Sequence, residues 1–261
     1  MLLLFDTQRE TKGYVYEYER LRIARITNNV VPELRASPGF QEISMAVGEL
    51  ERVNLDLIVG HHNELLCFYL NVYQLLCMHS LITLGVPKNV IKRLPFFNKC
   101  TYKLGNGSLG CVSPLYIEHA LLRAPLCKPS SFGSRLLPSV SESSANRIYV
   151  LKRKEPLVSF ALACGALSSP TVQVYEPDNV QAMLSQQATT YLRLHVRVSL
   201  LRQMVILPKV LEWYKADFAN SPSALMEWAL PFLDEQTKEA VQRLYMGANG
   251  KTPNVKFAEY D

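Results

Sequence analysis

The chain has 261 residues, 48% of them hydrophobic and 20% charged, with a net charge of +5. That suits one large globular domain or two small ones, with ample core. The positive excess is mild and scattered, its densest run being Lys152-Arg-Lys154, so neither nucleic acid nor an acidic lipid surface is an expected partner.

Six cysteines, Cys67, Cys77, Cys100, Cys111, Cys127 and Cys164, form no C-x-x-C pair. Several sit in apolar context, which points to reduced thiols in a cytosolic protein rather than a disulfide framework. The opening run Met1-Leu-Leu-Leu-Phe-Asp6 is too short for a signal peptide and lacks a basic start and a cleavage site. A cytoplasmic location is therefore expected.

Residues 14–35 read as a charged amphipathic helix, broken at Ser37-Pro38-Gly39. Ser37 caps and Pro38 opens the next helix, through Val53. The stretch from Glu64 to Leu84 carries only His79 as a titratable base and is apolar nearly all round, the pattern of a central core helix. On a 100° wheel Glu64, Cys67, Asn71, Gln74 and Met78 share one narrow stripe. Buried amides and carboxylates need partners, and the stripe is expected to face segments 118–119 and 164–165. Its length also suits a membrane span. Asn71, Gln74 and His79 within the run, and the lack of a second span, favour the core helix.

After Gly85-Val-Pro87 comes a short helix over 89–94. Residues 99–112 read as a β-hairpin turning at Gly105-Asn-Gly107. Ser113-Pro114 is a strong helix start, and a helix over 115–123 follows. Residues 124–147, rich in Ser and Pro, read as a long surface loop or disordered insertion. A strand is expected at 149–151, either helix or strand at 156–166, and a strand at 171–175. A helix opens at Pro177-Asp178. Paired strands follow at 195–199 and 204–207, then helices at 209–218, from Ser221-Pro222, and at 237–245, with an edge strand at 254–257.

Three constellations bear on chemistry. On its helix His119 shares a face with Leu115 and Leu122 and points to the core, either as a structural hydrogen-bonding histidine or as a general base, the former being favoured by pattern. Glu118 lies 100° round. Cys164 ends an apolar run before Gly165, whose tight turn could expose N–H groups to an oxyanion; a small buried hydrophobe is the commoner fate of such a cysteine. His61 and His62 are expected to face solvent, and no histidine or cysteine spacing matches a metal site, so no metal and no cofactor is expected. No phosphate loop, dinucleotide fingerprint or G-x-S-x-G is present.

Four segments, in order, resemble the family called domain of unknown function 547. Residues 66–79 resemble its AFWINxYNAxxxHA segment and 116–123 its DIEHxxLR segment. Residues 156–175 resemble PxxHFALxCGxxSxPxxxVY, and 207–218 resemble LPKxLxWYxxDF. The resemblance runs from about residue 40 to the end. It implies an intracellular, often multidomain and here eukaryotic-type setting, and carries no established activity. It singles out Asn71, Tyr73, His79, Glu118, His119, Arg123, Cys164, Gly165, Ser168, Pro170, Lys209, Trp213, Tyr214 and Asp217. This chain departs at Gln74, where the family has asparagine, at Ser159, where it has histidine, and at Ser169, where many members have cysteine. Because the segments bridge the 124–147 loop, residues 40–261 are expected to form one domain behind a helical extension, 1–39.

The expected architecture is a helix-rich α+β single domain around a central buried helix at about 64–84, packed on a small mixed or antiparallel sheet. Two functions follow. One is a protein-interaction or scaffold domain, a degenerate enzyme with a buried network of Glu118, His119, Asn71 and Arg123. The other is a thiol-dependent hydrolase or acyl transferase, with Cys164 as nucleophile, His119 as base, Glu118 or Asn71 orienting it, and the Gly165 N–H as oxyanion donor. Binding contacts are assigned to Gly165, Ser168, Arg123, Tyr73 and Gln74. The expected partner is a protein or a peptide-like substrate.

Overall fold

The computed structural model describes residues 28–87, 90–107, 109–130, 134–247 and 254–260. Most of the helix expected over 14–35 lies outside these. Its end is seen as α1 (Val31–Ala36), with Pro32 in the first turn. Ser37 then caps α2 (Pro38–Ala46), its Oγ accepting the Phe40 N–H at 3.2 Å. The helix tightens to 3₁₀ geometry over Val47–Arg52.

The central helix is α3 (His62–Leu84), with Leu66, Tyr69, Leu70, Leu76 and Cys77 fully buried. It alone among the described helices is long and apolar enough to cross a bilayer, and 78% of its most apolar window is buried inside the fold. Gly85 closes it at φ +80°. The Arg35 guanidinium takes the carbonyls of Ile82 and Thr83, so α1 satisfies part of the C-terminal end of α3. His79 Nδ1 meets the Tyr102 hydroxyl at 2.6 Å and pins the hairpin to the helix.

Beyond α4 (Val90–Lys99), β1 (Tyr102–Leu104) and β2 (Gly110–Val112) pair antiparallel, as the turn residues require. Asn106 and Gly107 both take positive φ there. Ser113 caps α5 (Pro114–Tyr116), accepting the Tyr116 N–H at 3.2 Å. Here the expected α-helix departs: Ile117–Leu122 is a π-helix, and the Arg123 N–H reaches back to the Glu118 carbonyl at 2.8 Å. The 3.6-residue wheel that placed His119 with Leu115 and Leu122 does not apply to this wider turn.

The described parts of the 124–147 segment, residues 124–130 and 134–147, are loop with a 3₁₀ turn at Ser134–Leu136 and another from Ala145 to Tyr149. The strand expected at 149–151 is therefore a 3₁₀ end followed by coil. Pro156–Phe160 is also 3₁₀. The strand expected at 171–175 is extended but has no neighbouring strand, for a reason given below. Then come α6 (Val180–His195), β3 (Arg197–Ser199), β4 (Met204–Leu207), α7 (Lys209–Trp213), α8 (Pro222–Ala229), α9 (Glu235–Gly247) and β5 (Asn254–Phe257). The sheet order is β3-β4-β5, antiparallel then parallel.

The result is a helix-rich α+β single domain with two cores. The first surrounds α3 and takes in the hairpin through Tyr102, Leu104 and Val112. The second gathers the three-stranded sheet and α7–α9 through Val205, Leu207, Leu211, Met226 and Val241. α6 joins them: Val180 and Leu184 enter the first core, Ala188, Tyr191 and Leu192 the second. The small sheet thus packs mainly in the second core, and α3 packs on the hairpin.

Candidate functional site

The polar stripe of α3 binds backbone. Asn71 donates to the Tyr175 carbonyl and accepts its N–H, both at 2.9 Å. Gln74 does the same with Gln173, at 2.8 and 3.0 Å. Two amides one helical turn apart thus match two alternate residues of an extended chain, replacing the neighbouring strand that 171–175 lacks. A Gln at 74 reaches as far as the exchange requires. This corrects the expectation that the stripe faces 118–119 and 164–165. Glu64 is not part of the arrangement: it sits beside His61, half exposed. His62, expected in solvent, is instead mostly buried and meets Glu155 Oε1 at 2.9 Å.

What α3 does send toward residue 118 is Tyr73. Its hydroxyl donates to Glu118 Oε2 at 3.3 Å, and the Tyr214 hydroxyl donates to Glu118 Oε1 at 2.6 Å. His119 Nε2 lies 3.7 Å from the same Oε1. Burial holds His119 below its ordinary value; Arg123 and Lys128 push the same way, and Glu118 opposes them. One turn on, Arg123 is almost wholly buried. Its guanidinium pairs with Asp217, donates to Ser159 Oγ and to the Cys127 carbonyl, and lies 3.5 Å over the Tyr214 ring. Asp217 also accepts the Cys127 N–H at 2.9 Å. Nε is the guanidinium nitrogen left without a hydrogen-bond partner among the described residues. Ser159, standing where the family has histidine, is therefore a ligand of this arginine.

Cys164 follows the 3₁₀ turn at 156–160 and is partly exposed. Its thiol contacts the Tyr260 hydroxyl at 3.4 Å. Tyr260 packs on Trp213, with ring centroids 4.7 Å apart. Gly165 takes φ +82°, and an added Cβ would collide with the Leu81 side chain of α3. The expected tight turn after the cysteine is thus present, with its side-chain face pressed on α3. Burial first, and then neighbouring acidic groups that include Cys164 and Glu118, pushes Tyr73, Cys77 and Tyr260 well above their usual values, so all three keep their protons at neutral pH. Ser168 contributes its carbonyl, which the Tyr191 hydroxyl donates to at 2.8 Å.

The structure therefore brings together Tyr73, Glu118, His119, Arg123, Tyr214 and Asp217 as one network, with Cys164 and Gly165 beside it through Tyr260. It leaves Asn71 and Gln74 outside. The roles of Tyr260 and Tyr191 were missed, since neither carries a motif and Tyr260 lies 96 positions from the thiol it meets. The π-helix at 117–122 was missed too; such turns gather at functional sites, and nothing in periodicity announces them. Among the described residues no group of three His, Cys, Asp or Glu is placed to hold a metal ion.

Comparison with curated proteins finds no match, and comparison with solved structures finds none either. A family model does match, over residues 59–192, which hold α3, the π-helix, Cys164 and the extended 171–175 segment. The chain belongs to the family described as protein of unknown function, DUF547.

Proposed function

We propose that this chain is an intracellular interaction domain that docks an extended peptide segment of a partner protein, rather than a working enzyme. One observation carries the reading. Asn71 and Gln74 take the backbone of residues 173 and 175 on one side of the extended segment. The backbone groups of Val172 and Val174 point to the other side, as strand alternation requires, and have no hydrogen-bond partner among the described residues. Val174 is 71% exposed and Val172 42%. An edge with free donors and acceptors at strand spacing is what strand addition uses.

The polar network supports the same reading from the other direction. Both carboxylate oxygens of Glu118 and most of the Arg123 guanidinium are consumed by internal partners, so they bind segments of the fold together. Near the Cys164 thiol, burial holds the Tyr73 and Tyr260 hydroxyls and the Cys77 thiol in their neutral forms. The alternative of thiol-dependent acyl transfer draws support from the π-helix, the partial exposure of Cys164 and the turn at Gly165.

One experiment separates the two. A random peptide library is selected against the wild-type protein and against Val174→Pro, which keeps an extended φ and removes one N–H. Both proteins are also treated with an electrophilic acyl probe. Enrichment of extended apolar peptides that bind the variant at least roughly tenfold more weakly is the expected result. No enriched peptide, together with labelling of Cys164 that His119→Gln abolishes, overturns the reading in favour of the enzyme.

A further inference from the structure

The strands of the second core carry their cations on one face. In the pairing register Arg197 of β3 lies opposite Ile206 of β4, and Ile206 lies opposite Lys256 of β5. The pleat therefore points all three side chains to the same side. With adjacent strands about 4.8 Å apart, two cations sit on either side of one apolar residue, roughly 10 Å apart at the backbone. Arg202 reaches the same side from the β3–β4 turn, where Gln203 holds a left-handed φ of 47°.

These residues line a cleft of about 420 Å³, together with His195, Lys209 and Tyr191. That volume suits a small ligand or one side chain with its flanking backbone. Four Lys and Arg side chains face it, against a single carboxylate, Glu259. Lys209 is paired with Glu212. Arg197, Arg202 and Lys256 are exposed, and none of them is ion-paired among the described residues. Like charges gathered in a concave site repel one another and are relieved by a bound anion. The apolar floor, Ile206 and Met204, lowers the local dielectric and strengthens that attraction.

We infer that this cleft binds a phosphate group, carried by a small molecule or by a phosphorylated peptide, with Arg197 and Lys256 closing on it from opposite strands and Arg202 from the turn. Guanidinium groups suit the bidentate contact, and an ammonium adds a point charge. The inference stands whether or not Cys164 reacts and whether or not the 172–174 edge takes a peptide.

Isothermal titration of the full chain at fixed ionic strength tests it, with inorganic phosphate, free phosphoserine and a phosphoserine heptapeptide as probes and chloride as control. Saturable binding of at least one probe is expected, weakened at least roughly tenfold by Arg197→Gln combined with Lys256→Gln. Arg202→Gln gives an independent second variant, and circular dichroism confirms that both remain folded. A peptide at least roughly tenfold tighter than free phosphoserine assigns the anion to a protein; equal affinities assign it to a small molecule. Failure of all three probes to bind beyond chloride, or wild-type affinity in both variants, overturns the inference.

Discussion

Arg123 and Arg197 carry the same guanidinium and live in opposite surroundings. Arg123 is sealed between the π-helix, the 127 loop, Ser159 and Asp217, with a tyrosine ring beneath it. Arg197 stands on a strand face at the mouth of a cleft, with no carboxylate paired to it among the described residues. The first has taken its partners from the chain. The second, with Arg202 and Lys256, has left that position open. A buried cation is tolerable only when its partners come with it, and an exposed cluster of cations is tolerable because water and salt screen it. The difference separates a region that holds the fold from a region that is free to bind.

The largest expected effect tests the closed side. Arg123→Met leaves the buried Asp217 carboxylate without its counter-charge and should lower unfolding stability by about 3–5 kcal/mol, read by urea denaturation. Adding Asp217→Asn should recover part of the loss. A change within about 0.5 kcal/mol would mean that Arg123 is not the structural tie described, and the contrast with Arg197 would collapse.

A smaller effect follows from His119. Burial keeps the folded imidazole below its ordinary 6.5, and His62 and His79 are lowered for the same main reason. Above 6.5 neither the folded nor the unfolded chain binds protons at these rings, so the stability is fully present. Below 6.5 the unfolded chain takes up protons before the folded one, and stability falls as pH falls. Urea unfolding at pH 7.5 and 5.5 should show that loss, and His119→Gln should reduce it. An unchanged pH slope in the variant would show that the imidazole is not held neutral by its burial.

The smallest effect belongs to the open side. Arg197→Gln and Lys256→Gln should change stability by less than about 0.5 kcal/mol, or raise it slightly, because each removes one of a set of like charges. A loss of about 2 kcal/mol or more would show that these cations have internal partners after all, and the comparison with Arg123 would fail.

Much of the fold was legible along the chain because its signals are local. Ser37, Ser113 and Ser221 each cap the helix that their Ser-Pro step announces. The glycine turn sets the hairpin, and the long, mostly apolar run from Leu65 marks the helix that the first core is built on. The resemblance drew Glu118, Arg123, Tyr214 and Asp217 into one set, and these do meet. Where the reading failed, the competing force was non-local. Residues 149–151 and 171–175 have strand-like composition and no strand partner. Residue 151 is tied by its N–H to the Leu121 carbonyl, and 173 and 175 by side-chain amides of α3.

The sequence by itself determined where helices start, which helix is buried, and which family the chain belongs to. These rest on spacing, capping chemistry and motif, all written within a few residues. Only the tertiary structure decided that Asn71 and Gln74 serve as a strand edge, that Ser159 serves Arg123, that Tyr260 covers Cys164, and that Arg197 and Lys256 share a face. The physical reason is distance along the chain. The charges that look scattered over 261 residues converge only after β5 pairs with β4, and the field in the cleft exists only once they do.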